Sequence, residues 1–223
     1  MVTNVSFAEE RSSDPERRLN VFGLSTEMVH TAFRPGLTHA RNRSPLALRN
    51  AAGNDVYQDT MEQFSQILTP KGWRLVYVDH QPRLLHPDGI MCFTISSAKY
   101  VADADHRRKP RTGRKGPATR MSLAGPSQPA DLTLDLPELA NADETLPASA
   151  LNAPLWLLDY ERTELGLNLE LSQPAGMTPS GMVTEWGPGR ILIRSLDLDG
   201  DLSVFETPDD DDDDFDVPVT PRS

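Results

Sequence analysis

The chain has 223 residues, a formal net charge of −11 and a single cysteine, Cys92. This length fits one domain, and one thiol excludes an internal disulfide framework or a cage of several thiolates around a metal. Hydrophobic residues make up 38% of the chain, so we expect part of it to lie outside any core. With no apolar run of membrane-spanning length and no visible secretory signal, we expect a cytoplasmic protein without a membrane partner.

The N-terminal region, residues 1–45, is polar with scattered apolar positions. Ser25 is placed to cap a short helix, which Pro35 and Gly36 should end. We therefore predict a weakly ordered segment over these residues.

Residues 46–68 predict a better-defined helix. Asn54 is the expected N-cap, with Asp55 in the first turn, where the helix dipole favours a negative charge. Apolar residues recur at spacings of three and four, which is typical of a helix packed on a core. They are Val56, Met61, Phe64, Ile67 and Leu68.

After residue 72 the apolar pattern changes to a period of two, which indicates strands. The predicted strands are Trp73–Val78, Arg83–Leu85, Ile90–Ile95, Leu155–Tyr160, Leu165–Leu171 and Ile191–Leu196. We predict a single α+β domain over residues 46–206, mainly an antiparallel sheet with one or two packed helices. Its core should include Trp73, Val76, Phe93, Trp156, Leu158 and Ile191, and Cys92 should be buried as a small apolar residue.

Charge is distributed unevenly along the chain. Residues 1–125 contain 18 Lys and Arg against 12 Asp and Glu, whereas residues 126–223 contain 4 against 21. Two segments carry much of this difference. The basic segment, residues 106–120, has seven cations and no acid, and the acidic tail, residues 207–223, has seven aspartates around Phe215.

Both charged segments lie in regions without clear periodicity. Residues 97–150 are interrupted by prolines, and the tail is almost entirely polar. Neither region buries enough apolar surface to offset the entropy of ordering. We predict that residues 97–150 form an irregular, flexible insertion and that residues 207–223 are disordered.

Dense positive charge in the basic segment indicates contact with a nucleic-acid backbone, single- or double-stranded, because each phosphate contact releases counterions. A nearby tyrosine could stack on a base. The candidate residues are Arg107, Arg108, Lys109, Arg111, Arg114, Lys115, Arg120 and Tyr100. The alternative is a solvated loop that neutralises acidic surface elsewhere in the chain.

The acidic tail has three interpretations. It could mimic phosphate and compete for the basic segment, it could dock onto a basic partner protein as the tails of single-stranded-DNA-binding proteins do, or it could only aid solubility. The residues concerned are Asp209, Asp210, Asp211, Asp212, Asp213, Asp214, Phe215 and Asp216.

Signatures of catalysis are weak. Ser96 and Lys99 form a Ser-x-x-Lys pair, but the companion motifs of acyl-transfer enzymes are missing. His80 and His86 fall at opposite ends of a predicted strand and should not converge on a metal. We expect no catalytic site, no cofactor and no metal.

Four stretches resemble a group of uncharacterised bacterial proteins associated with phages, plasmids and integrative elements. They are GPAT (residues 116–119), WLLDYERTELGLNLELSQP (156–174), EWGPGRILI (185–193) and DVPV (216–219). The resemblance implies a bacterial or phage setting and a cytoplasmic location, and it carries over no function to this chain.

Two hypotheses for function follow. The first is a non-enzymatic accessory protein of a phage or mobile element that binds nucleic acid weakly through the basic segment, with regulation by the acidic tail. The second is an acidic protein-interaction module, an inhibitor or DNA mimic, that binds a host or phage protein. Carboxylates arrayed over the folded surface would favour the second, and their confinement to the tail would favour the first.

Overall fold

The two longest helices of the described residues precede the strands. The structure is a computed structural model that describes residues 15–103, 105, 107–123 and 149–198. Over these residues the helices are α1 (15–21), α2 (Thr26–Arg41), α3 (Ala51–Leu68), α4 (Pro117–Leu123) and α5 (149–152), with a 3₁₀ turn at Thr69–Lys71. None of the helices in the described part is both long enough and apolar enough to cross a bilayer.

The strands form one large sheet and a separate two-stranded sheet. In the described residues they are β1 (Arg74–Val78), β2 (Gln81–Leu85), β3 (Cys92–Lys99), β4 (Arg111–Thr112), β5 (Leu155–Arg162), β6 (Gly166–Ser172), β7 (Pro174–Met177), β8 (Val183–Trp186) and β9 (Ile191–Asp197). The large sheet has the order β1-β2-β3-β5-β6-β9, β4 pairs with β3, and β7 pairs with β8. Every pairing is antiparallel except that of β3 with β5. The predicted α+β class is confirmed.

One face of the sheet carries the main core. Helices α2 and α3 pack against this face. Their apolar residues recur every three or four positions, which places them on one side of each helix. The predicted core residues in this cluster are Trp73, Phe93, Trp156, Leu158 and Ile191, whereas Val76 is buried in a second cluster with Cys92. All of them are at most 8% exposed, so the predicted core is confirmed.

Helix α2 is longer than the sequence indicated. Ser25 caps it as predicted, by accepting a hydrogen bond from the backbone N–H of Met28. The expected stop at Pro35 is wrong, because the helix continues for six residues beyond it. Proline removes one helical hydrogen bond, but the turns after it bury Leu37 and Ala40 in the main core. This helix is therefore part of the core and not of a weakly ordered segment.

Helix α3 begins at Ala51, before the predicted cap Asn54. Asp55, which we expected to interact with the helix dipole, accepts two hydrogen bonds of 2.6 Å from the guanidinium of Arg43. These bonds hold the pKa of Asp55 below its ordinary value. Asp55 thus fixes α3 to the preceding loop through a contact that capping rules do not include.

Gly36 marks a close approach of α2 to α3. A Cβ atom at this position would lie 2.9 Å from the Cα of Val56 and 3.1 Å from the carbonyl oxygen of Asp55. Both neighbours are backbone atoms, so no side-chain rotation relieves the contact. We expect Gly36→Ala to lower the free energy of unfolding by about 1–3 kcal/mol, the usual cost of overpacking, as measured by urea denaturation.

Gly53→Ala in α3 is the matched control for this substitution. Nothing lies within 4 Å of the position its Cβ would take, and alanine favours a helix over glycine. A loss of stability at Gly53 equal to that at Gly36 would contradict the packing explanation.

Regular structure continues into the segment that we expected to be irregular. Strand β3 ends at Lys99 and not at Ile95, and β4 and α4 lie within residues 97–150. Strands β4, β7 and β8 are only two to four residues long, so they give no periodic signal. The remainder of the insertion, residues 124–148, and the acidic tail lie outside the described residues.

Candidate functional site

The basic segment is attached to the sheet at several points. Strand β4 pairs with β3, which aligns Arg111 with Lys99. The backbone N–H of Lys115 donates a hydrogen bond of 2.8 Å to the carbonyl of Gly181. Gly181 has a φ of 94°, and a Cβ there would lie 2.8 Å from the carbonyl oxygen of Lys115. Only glycine allows the two backbones to approach this closely.

Two arginines hold the ends of the segment. Arg83 on β2 is fully buried and donates to the carbonyl of Ala118 (2.9 Å) and the hydroxyl of Ser122 (2.6 Å) in α4. Arg190, just before β9, donates to the carbonyl of Arg108 at 3.0 Å. These bonds hold the backbone on the body of the protein. The segment therefore presents its cations from defined positions.

Six of the seven predicted cations are exposed: Arg107, Arg108, Lys109, Arg111, Arg114 and Arg120. Over the described residues, four of them make no side-chain hydrogen bond or ion pair: Arg107, Lys109, Arg111 and Arg114. Their charges are not neutralised by acidic groups of the described body. This observation counts against a loop that only balances acidic surface there.

Lys99 adds a further cation to this surface. It is exposed and lies directly opposite Arg111 in the β3–β4 pair. Like charges directly opposite each other on neighbouring strands destabilise a sheet. An anion bound between the two side chains would remove this repulsion.

Tyr100 lies in a turn beside the basic segment. It is 42% exposed and has a φ of 61°, and Ala102 has a φ of 51°. The guanidinium carbon of Arg108 lies 5.5 Å from the centre of the tyrosine ring, and Asp103 lies 3.6 Å from the same guanidinium. Arg108 is thus partly neutralised and already occupies one position over the ring that a base would need.

Two carboxylates accept hydrogen bonds from the backbone of this turn. The N–H of Val101 donates to Glu161 (3.0 Å), and that of Ala102 donates to Glu170 (2.9 Å). Non-glycine residues at positive φ cost free energy and cluster at functional sites. The turn is therefore a constrained element next to the exposed cations.

Lys115 does not belong to the exposed surface, which corrects its predicted role. Its Nζ donates a hydrogen bond of 2.5 Å to the hydroxyl of Ser96 on β3. Burial lowers the pKa of Lys115, and the negative charge of Asp159 opposes this shift. The side chain is an anchor between the basic segment and the sheet and is not free to contact phosphate.

Three polar residues lie opposite one another on neighbouring strands of the sheet to which Lys115 anchors the basic segment. Ser96 on β3 is opposite Asp159 on β5, which is opposite Glu170 on β6. All three are buried. Arg190 pairs with Glu170 through bonds of 2.6 and 2.8 Å, and Ser172 donates to the same carboxylate. Glu170 is thus fully satisfied, as a buried charge must be.

Asp159 is different, because no group in the described part of the chain hydrogen-bonds to its side-chain oxygens. The residue is fully buried. Burial raises its pKa to about 7, and the positive charge of Lys115 and the nearby hydroxyl of Ser96 limit the rise. The carboxyl therefore changes charge near neutral pH. It interacts with Lys115, the residue that anchors the basic segment to the sheet.

The Ser-x-x-Lys pair does not form a catalytic arrangement. Lys99 is exposed, whereas Ser96 is buried on the other face of β3, and the lysine that reaches Ser96 is Lys115. Ser96 is 3% exposed, so a substrate cannot reach it in this conformation. His80 is exposed and His86 packs on a tryptophan ring. In the described part of the chain, no three potential ligands form a metal cluster.

The described residues, which we call the described body, differ in net charge from the rest of the chain. The described residues hold 20 Lys and Arg against 15 Asp and Glu, which leaves +5. The remaining residues hold 2 against 18, which leaves −16. The acidic character of the chain therefore comes from outside the described body.

The sequence analysis did not identify the buried polar residues on β3, β5 and β6, or the arginine that pairs with Glu170. Asp159 interrupts LWLLDY, a strand that is apolar on both faces, and Glu170 is the one acid of LGLNLEL. A carboxylate inside a fully apolar strand is rarely buried without a partner. That signal could have identified both acids, but the local sequence does not indicate that Lys115 and Arg190 approach them.

The chain was compared with protein-family models, with curated proteins and with solved structures, and none of the three comparisons found a match.

Proposed function

We propose that this protein binds the phosphate backbone of nucleic acid, weakly and without base-specific readout, through the exposed cations of the basic segment. The contact is electrostatic, so single and double strands, DNA and RNA, share the recognised chemistry. We further propose a cytoplasmic accessory role without catalysis. The resemblance to proteins of phages and mobile elements is the support for that setting.

The observation that carries this proposal is a set of four exposed cations whose side chains have no partner among the described residues: Arg107, Lys109, Arg111 and Arg114. Exposed charges of one sign that are not neutralised within the body create a positive potential that attracts polyanions. Lys99 opposite Arg111 strengthens the local potential. The attachment of the backbone through β4, Arg83 and Arg190 means that little ordering entropy is lost on binding.

The charge distribution also favours this function over the acidic interaction module. A DNA mimic presents carboxylates over its folded surface, and the described body instead has a net charge of +5. Its two most buried acids, Asp159 and Glu170, cannot take part in such a surface.

The test is a titration of a labelled oligonucleotide of about 16 nucleotides, single-stranded and duplex, followed by fluorescence anisotropy over a range of salt concentrations. If four phosphates are contacted, the logarithm of the binding constant should fall against the logarithm of salt with a slope of roughly −3. A variant with all four free cations replaced by glutamine should lose most of this slope and most of the affinity.

A matched variant replaces Arg34, Arg49, Arg74 and Arg194 with glutamine. These arginines are also exposed, with side chains that have no described partner, but they lie on α2, the α2–α3 loop, β1 and β9. The charge change is the same, so this variant should retain most of the affinity. An equal loss in both variants would show that only overall charge matters, and the proposed site would be wrong.

A further inference from the structure

We infer that the basic segment is an interaction surface with an intramolecular partner, the acidic tail, and that nucleic acid must displace the tail to bind. This inference deepens the proposed function, since both partners use the same exposed cations. It predicts a contact that exists in the isolated protein, before any nucleic acid is added.

Complementary charge is the first argument. The tail carries seven aspartates within eight residues, 209–216. Arg107, Lys109, Arg111 and Arg114 face solvent with no acidic partner on the described body. Arginine pairs well with carboxylates, because its planar fork donates two parallel hydrogen bonds to them. An extended run of aspartates carries one negative charge per about 3.3–3.6 Å, close to the spacing of about 3.4 Å between charges along one strand of DNA.

Geometry is the second argument. Strand β9 begins beside the basic segment, where Arg190 bonds the carbonyl of Arg108, and it ends at Asp197. At a rise of about 3.3 Å per residue, the strand places its end roughly 23 Å from that bond. The 12 residues from Leu198 to Asp209 span at most about 40–43 Å. The first aspartate of the tail can therefore reach back to the basic segment.

Covalent connection is the third argument. Two groups joined by a short linker that spans their separation meet at an effective concentration in the millimolar range. Weak ion pairs are then enough to keep the tail on the surface much of the time. Nucleic acid binds only the fraction of molecules with the surface free, and its apparent affinity falls by that fraction.

The experiment uses the full-length chain and two variants of equal charge. The tail variant replaces Asp210, Asp211, Asp212, Asp213 and Asp214 with asparagine. The control variant makes five amides at Asp131, Asp135, Glu138, Asp143 and Glu144, acids that precede β5 in the sequence. Amide proton and nitrogen shifts of residues 107–114 are recorded by NMR without nucleic acid. We expect them to move in the tail variant and to stay in place in the control.

The same three proteins are then titrated with the labelled oligonucleotide. The tail variant should bind about tenfold more tightly than the natural sequence, with a steeper salt dependence, because no tail ion pairs are exchanged on binding. Equal affinity and unchanged shifts would overturn the inference and leave the proposed function standing. If the NMR shifts moved in the tail variant but none of the three proteins bound the oligonucleotide, the tail contact would stand and the proposed function would be overturned. If the control variant showed the same shift changes and the same gain in affinity as the tail variant, overall charge would explain both, and the tail contact would be overturned.

Discussion

The free energy of unfolding should fall by on the order of 4 kcal/mol as the pH rises from about 4 to about 7, and Asp159→Asn should remove this dependence. Burial raises the pKa of Asp159 from 3.8 to about 7 in the folded protein. Between these two values the unfolded chain has lost the proton while the folded chain keeps it. Each unit of rising pH therefore favours unfolding, until the folded carboxyl also ionises.

Urea denaturation at several pH values between 4 and 8 measures this effect. Asp55 has a lowered pKa, so its contribution is lost only as the pH falls below about 4, outside this range. Asp88→Asn is the control, because its side chain is 80% exposed and gives up no buried charge. A natural protein with equal stability at pH 5 and pH 8 would contradict the assignment of a buried, unpartnered carboxyl to Asp159.

Leu158→Ala should lower the free energy of unfolding by about 2–5 kcal/mol, a large part of the 5–15 kcal/mol typical of a domain. Leu158 is 2% exposed and belongs to the main core. On the sheet it lies between Ile95 of β3 and Leu171 of β6. Alanine removes apolar contacts and leaves a cavity that three joined strands cannot close by moving independently.

Thermal and urea unfolding monitored by circular dichroism measure the change. Leu165→Ala removes the same atoms from a side chain that is 66% exposed, and it should shift the midpoint little. An unchanged midpoint for Leu158→Ala would mean that the two halves of the sheet do not meet at this residue.

The strands and the core were predictable because they depend on local periodicity. Short runs of apolar residues, several of them alternating, located the six long strands, and every predicted core residue is buried. The length of helix α2 was underestimated, because the rule that proline ends a helix considers only neighbouring residues. The packing of Leu37 on the core depends on residues that are distant in the sequence. The helix start at Ala51 escaped prediction because its N-cap residue, Asn50, makes no side-chain cap hydrogen bond, so capping rules do not locate it.

The candidate site was predictable in its charge and not in its geometry. The density of cations identified the basic segment, but spacing alone could not separate Lys115, which turns inward, from Arg114, which stays exposed. That difference depends on Ser96 and Asp159, which lie 19 and 44 residues away in sequence. Long-range partners of this kind leave no trace in a local pattern.

The parallel pairing of β3 with β5 constrains how this chain folds. Residues 92–97 pair with residues 155–160, so the centre of the sheet closes a loop of roughly 60 residues before the strands align. Contacts between such distant residues slow folding, because the entropy of loop closure is lost before the contacts form. During synthesis on the ribosome, helices α2 and α3 and the β1–β3 meander emerge first, with one edge of β3 still open. An unpaired edge is a site for aggregation, so nascent chains should depend most on chaperones between the emergence of β3 and that of β5.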